Sequence, residues 1–195
     1  PQRQVVTIMR DNSVKLQRLI EDLLDYQRAL HAAASLAPKP LSLDSLIRDA
    51  VRPHELVMQS KAQSLTLELD KLMVEVDGEK LFSIVDNLVG NAVKFTPAGG
   101  TIAVSARASG GDAVIDVIDS GPGVPAEERE AIFDSFFRGR AKASGRIEGT
   151  GLGLAIAREF AEAHGGRIDV LASSKGAHFR VTLPRRSRSR LAVAA

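Results

Sequence analysis

Asn87, Asn91 and Lys94 stand at i, i+4 and i+7, a spacing that lines side chains along one face of an α-helix. Carboxamide oxygens are neutral, hard ligands. They can hold a divalent cation without cancelling its charge and leave it free to neutralise phosphate. A lysine one turn further on supplies a point charge for a phosphate oxygen. Taken alone, the stripe is equally consistent with a solvated helix face. A second group, Asp119-Ser120-Gly121-Pro122-Gly123, follows an apolar run directly. A carboxylate there accepts a hydrogen bond from an exocyclic amine such as that of adenine, and the glycines let a flat ligand approach the backbone. A plain turn explains the pentapeptide as well. The third group, Gly149-Thr150-Gly151-Leu152-Gly153-Leu154, opens a helical pattern. Glycine-rich helix starts present backbone N–H groups and a positive dipole end to anions. No Lys-Ser/Thr follows, so it is not a P-loop, and the charged stretch Arg138–Glu148 supplies no preceding strand for a dinucleotide fingerprint.

The elements that must carry these groups follow from pattern. Residues 4–31 read as one long helix with a heptad seam at Val5, Met9, Asn12, Leu16, Leu19, Leu23, Tyr26 and Leu30, suited to a dimeric bundle. Residues 37–43, with Pro38 and Pro40, read as a linker. A helix is expected from Leu43 to about Lys61, bent or split at Pro53. Strands are expected at Ser64–Leu69, Leu72–Val76, Thr101–Ala108, Ala113–Asp119, Arg167–Ser173 and Ala177–Leu183. Asp77 caps a helix Gly78–Phe95, a short helix covers Ala126–Phe133, and Leu152–His164 forms another ended by Gly165-Gly166. Residues 185–195 form a basic tail expected to be disordered.

Composition narrows the chemistry. With 195 residues, 44% of them hydrophobic, the chain can bury a core and a smaller appended element. The absence of cysteine removes disulfides and thiolate chemistry, and the four histidines show no metal-ligand spacing. A net charge of +2 does not suit a nucleic-acid-binding polycation. No apolar run approaches the ~20 residues of a membrane span.

Together, the three groups resemble the ATP-binding domain shared by histidine kinases, gyrase, Hsp90 and MutL. Asp86-Asn87-Leu88-Val89-Gly90-Asn91-Ala92-Val93-Lys94-Phe95-Thr96-Pro97 is similar to the N box, Asp119–Gly123 to the first glycine box and Gly149–Leu154 to the second. Phe133-Asp134-Ser135-Phe136-Phe137-Arg138 resembles the F box of histidine kinases, which gyrase and Hsp90 lack. Asn12–Leu16 and Leu19–Tyr26 resemble the second helix of the kinases' dimerisation hairpin, and the pattern resembles the GlrK type.

The resemblance implies an α/β fold, a two-layer sandwich with a mixed sheet and helices on one face, preceded by a long dimerisation helix. It divides the chain into residues 1–36 (second hairpin helix, the first being absent), the linker 37–43, an ATP-binding catalytic domain 44–184 and the tail 185–195. It implies a sensor histidine kinase that transfers the γ-phosphate of Mg-ATP to a histidine for relay to a response-regulator aspartate. Asn91 would ligate Mg²⁺ with Asn87 assisting, and Lys94 and Arg138 would serve the phosphates, with Arg140 near. Phe95, Asp119, Gly121 and Gly123 would shape the adenine end. Gly149, Thr150, Gly151, Leu152 and Gly153 would shape the phosphate end, and Arg138–Thr150 would be the lid.

The implied partners are a receiver domain and a second copy of the chain, with no nucleic acid. The implied setting is the cytoplasmic portion of an inner-membrane sensor. The family's acceptor histidine has a Ser-His-Glu-like context that neither His31 nor His54 matches. The expectation is therefore a chain beginning after the first hairpin helix, able to bind ATP but not to phosphorylate itself. The rival readings are an ATP-driven clamp, a serine kinase of the anti-sigma type and a silent binding module. No Glu lies between Leu81 and Phe95 to activate water, which weakens the first.

Overall fold

The computed structural model describes residues 35–137, 139 and 150–186, and six positions nearer the start: Arg10, Ser13, Gln17, Ile20, Leu24 and Gln27. Those six are helical and exposed, Ile20 and Leu24 each at 51%. The seam residues Val5 to Leu30 lie outside the described residues, as does the tail from 187.

The main sheet has five strands: β2 (Ser64–Leu69), β4 (Thr101–Ser109), β5 (Asp112–Asp119), β6 (Arg167–Val170) and β7 (His178–Pro184). Their order is β2-β4-β5-β7-β6, with β2 and β4 parallel and the other pairs antiparallel. A parallel neighbour demands a long crossover. The chain makes it through β3 (Met73–Val76) and the helix α3 (Gly78–Phe95). Two strands expected from alternation alone, Ser64–Leu69 and Leu72–Val76, therefore do not pair with each other.

β3 pairs instead with β1 (Lys39–Ser42), in antiparallel register from Lys39↔Val76 to Ser42↔Met73. The stretch read as a linker is thus a strand. Pro40 is tolerated because this ribbon has only two strands, both of them edges. The helix expected over 43–61 divides into α1 (Leu43–Val51), a 3₁₀ turn at Arg52–His54 and α2 (Glu55–Ser60), with Pro53 at the division. The short helix expected over 126–133 resolves into two 3₁₀ turns, Ala126–Glu128 and Ala131–Phe133.

One face of the sheet carries Ile102, Val104, Ala113, Ile115, Val117, Phe179 and Val181, all buried. Against it lie Leu81, Ile84, Val85 and Leu88 of α3, each fully buried, and Ala157 and Phe160 of α4 (Gly153–Ala163). The opposite face is polar and centres on Asp116. Its carboxylate receives Arg107 at 2.6 Å, Arg180 at 2.7 and 3.1 Å and His178 at 2.7 Å. Among the described residues, helices therefore cover one face only, in two layers.

Both ends of α3 are fastened. Asp77 caps its start by accepting from the Lys80 backbone N–H at 3.3 Å. At its end, Lys61 Nζ donates to the Val93 carbonyl at 2.7 Å, and Gln63 Nε2 to those of Val93 and Thr96 at 3.1 and 2.7 Å. A cation at a helix C-terminus also meets the negative end of the dipole. These bonds fix where the helix stops, and so where Lys94 and Phe95 stand. Among the described residues, no helix is long and apolar enough to cross a membrane.

Candidate nucleotide site

The site lies where the second half of α3 meets two glycine-rich turns. Asn87 is oriented by its own helix: its Nδ2 donates to the Ser83 carbonyl at 2.8 Å, one turn back. Its Oδ1 lies against Gly153, the first residue of α4, so closely that a Cβ at Gly153 would overlap it. α3 and α4 approach here because position 153 has no side chain. Asn91, one turn on, is half-buried, and its side chain makes no hydrogen bond to another described residue. Lys94 Nζ lies 5.2 Å from the centroid of the Phe95 ring.

The start of α4 offers the anion-binding geometry that its glycines suggested. Leu152, at the cap position, is 2% exposed and contributes no side-chain cap. Among the described residues, no side chain therefore competes for the first N–H groups of the helix. Gly151 has φ +80, and a Cβ there would lie 2.6 Å from the Phe137 carbonyl oxygen. Its own carbonyl accepts from the Phe136 N–H at 3.0 Å. The Phe133–Phe137 turn is thereby bonded to the second glycine turn through backbone. Phe133 anchors that turn, packing edge-on to Phe179 at 6.5 Å with the Arg158 guanidinium 4.7 Å from its ring.

The other end of the site is built around Asp119, which is 6% exposed. Its Oδ1 accepts from the Gly121 N–H at 2.7 Å and the Ala177 N–H at 3.3 Å. Burial raises the carboxyl above its usual range, against the opposing effect of these two bonds. A Cβ at Gly121 would lie 2.9 Å from the Phe95 carbonyl oxygen, so this turn closes onto the end of α3.

The fold thus joins Asn87 to Gly153, Phe95 to Gly121 and Asp119, and Gly151 to Phe136 and Phe137. Thr150 and Gly123 are described and half-buried beside them. Arg138, Arg140 and Gly149, and with them most of the expected lid, lie outside the described residues.

Sequence reasoning passed over Gly176 and Ala177. Gly176 has φ +74, and a Cβ there would overlap the Asp119 carbonyl. A Cβ at Gly123 would in turn lie 2.8 Å from the Gly176 carbonyl oxygen. The β6–β7 turn is therefore the underside of the Asp119 turn. Its only signal in the sequence was a glycine between two strands, which reads as any turn.

The donor set suits a hard divalent cation. Asn87 commits its Nδ2 to Ser83, which leaves its oxygen, beside the start of α4, as the acceptor, while Asn91 offers a second carboxamide.

The model of the histidine kinase-, DNA gyrase B- and HSP90-like ATPase family matches residues 76–187, more than half of the chain. The chain belongs to that family. Sensor histidine kinase GlrK of Escherichia coli (strain K12) is 34% identical over 184 residues, covering 94% of this chain and 38% of the relative. The full-length structure of ShkA in complex with AMPPNP superposes with a TM-score of 0.78 at 31% identity, over 94% of this chain and 38% of that one. The complex of histidine kinase ThkA with response regulator protein TrrA superposes at 0.73 and 26% identity, over 91% of this chain and 49% of ThkA. Within the family, then, this chain is similar to sensor histidine kinases. It spans 38% of the length of its GlrK relative.

Proposed function

We propose that the chain binds Mg-ATP between α3 and α4 and positions its γ-phosphate for transfer to a histidine nitrogen, from which it passes to a response-regulator aspartate. The observation that carries this reading is the convergence of Asn87 with Gly153 at the start of α4 and of Asp119 with Gly121 against the end of α3.

Asp119 accepts the adenine amine through the oxygen not tied to backbone. Gly121 and Gly123 let the ring lie against the chain, and Phe95 closes the same end. Asn87 and Asn91 hold the cation, and Lys94 and Arg138 meet phosphate oxygens. Gly149, Thr150, Gly151, Leu152 and Gly153 present backbone N–H groups to the phosphates. When bound, Mg²⁺ neutralises the charge that develops on the transferred phosphoryl group. The residues around it orient the nucleotide and exclude water.

Neither His31 nor His54 has the family's acceptor context, so this chain on its own binds ATP without phosphorylating itself. The complex of ThkA with TrrA supports a receiver domain as the downstream partner. The N-terminal helix joins a second copy, and the whole protein is a membrane-anchored sensor with this part on the cytoplasmic side. The test is to supply a hairpin carrying the acceptor histidine, then a receiver domain, with γ-labelled ATP. Acid-labile label on the hairpin that chases onto the receiver is the expected result. Steady release of phosphate with no label on the hairpin would replace this reading with an ATPase.

A further inference from the structure

The start of α3 lies away from the nucleotide, yet it holds a dense polar node. Asp77 Oδ2 accepts from Lys80 Nζ at 2.6 Å and from the Ala37 backbone N–H at 3.1 Å. Lys80 Nζ also donates to the Ser35 carbonyl at 3.3 Å. The Lys80 and Asp77 side chains are only 12% and 9% exposed. On the other side, the Asp77 N–H donates to His164 Nε2 at 3.0 Å, and His164 Nδ1 bonds the Phe160 carbonyl at 2.6 Å. Three pieces of chain meet here: the segment arriving from the N-terminal helix, the start of α3 and the end of α4.

The same two helices meet again at the nucleotide site, where Asn87 faces Gly153. They are therefore an antiparallel pair clamped at both ends, with about 15 Å of helix between Asp77 and Asn87 at ~1.5 Å per residue. A displacement of Ser35 and Ala37 acts on Asp77 and Lys80 directly. It reaches Asn87 through α3, and Gly153 through His164 and α4. Along α3 this path is packed: Leu81, Ile84, Val85 and Leu88 are fully buried.

We propose that Asp77, Lys80 and His164 form a latch of positioning residues that couples the incoming segment at Ser35–Ala37 to nucleotide binding. With the latch closed, Asn87 and Gly153 are held in the register that receives ATP; with Ser35 and Ala37 withdrawn, that register is no longer enforced. This rests on the nucleotide-site reading above. Linkage makes the coupling reciprocal: if the latch favours ATP, ATP must tighten the latch by the same factor.

The experiment uses the full chain. Hydrogen exchange at the Ala37 amide is read with and without Mg-ATP, alongside Mg-ATP affinity, for the parent and for Lys80→Met. This variant removes the ammonium that reaches Ser35 but leaves the Asp77 cap. Ala37→Pro, which removes the N–H donor on the incoming segment and also fixes φ there, is measured for affinity alone. Coupling predicts that ATP slows Ala37 exchange in the parent by about 5-fold or more. It also predicts that both variants bind ATP more weakly by a similar factor, with circular dichroism unchanged, and that ATP no longer slows Ala37 exchange in Lys80→Met. If the parent binds ATP but its Ala37 exchange ignores the nucleotide, and Ala37→Pro binds as the parent does, the node is only a staple of the fold and the proposal is overturned. If the parent binds no ATP, the nucleotide-site reading itself falls and takes the coupling with it.

Discussion

Replacing Asp119 by asparagine should separate nucleotide affinity from stability. Oδ1 of Asp119 is committed to the Gly121 and Ala177 N–H groups at 2.7 and 3.3 Å. An asparagine keeps these bonds only by placing its oxygen there, which turns its NH₂ toward the ligand. The adenine amine then faces a donor in place of a carboxylate oxygen. Losing a hydrogen bond to a charged acceptor costs about 1.5–3 kcal/mol, and leaving a buried donor unpaired adds about 1 kcal/mol or more. A total of about 3 kcal/mol is a loss of about 100-fold in affinity.

Stability should move the other way. Burial raises the Asp119 carboxyl above 3.8 in the folded protein, so the fold disfavours the charged form. A group raised in this way stabilises below its unfolded pKa and loses that contribution as pH rises through the folded pKa. At neutral pH the parent carries the loss, whereas the carboxamide of the Asp119→Asn variant has no charge to bury. Calorimetric titration with Mg-ATP should therefore show binding in the parent and none at comparable concentration in Asp119→Asn. A thermal melt of the ligand-free proteins should show the variant at the same or a higher midpoint. A variant that binds ATP as the parent does would refute the adenine role, and one that melts well below the parent would refute the electrostatic argument.

Asn91→Ala should remove the benefit of the metal: ATP affinity measured with and without Mg²⁺ should differ in the parent and converge in the variant. Gly176→Ala forces a Cβ into the Asp119 carbonyl at φ +74. The strain should cost roughly 1–3 kcal/mol or more, a drop of several degrees in the melting midpoint, together with weaker ATP binding. On the polar sheet face, burial alone would raise the Asp116 carboxyl, but hydrogen bonds from Arg180, Arg107 and His178 outweigh it and hold the group at about 2. Its contribution, about 2 kcal/mol, is present above 3.8 and should be lost as pH falls through about 2. Burial, by contrast, itself depresses His164, so some stability should already fade as pH drops below 6.5. A pH series of denaturant melts should show the low-pH part vanish in Asp116→Asn.

Local order carries much of this protein. The spacing of Asn87, Asn91 and Lys94 on one helix, the aspartate at a strand end before Gly121 and Gly123, and glycines opening a helix at 151–153 are all contained in short windows. Helical and alternating periodicities are short-range too, so α3, α4 and most strands were readable, and the order of the boxes was enough to indicate a mixed sheet covered on one face. Other features depend on partners distant in the chain. Lys39–Ser42 becomes a strand only because Met73–Val76 offers it an edge, and β2 pairs with β4 across an intervening helix. The Asp77 node gathers residues from 35 to 164. The requirement for glycine at 176 and the raised carboxyl of Asp119 exist only where two turns press backbone against backbone. Residue type and spacing specify which groups can do the chemistry. Their burial, and what each must touch, arise only when distant segments exclude water together.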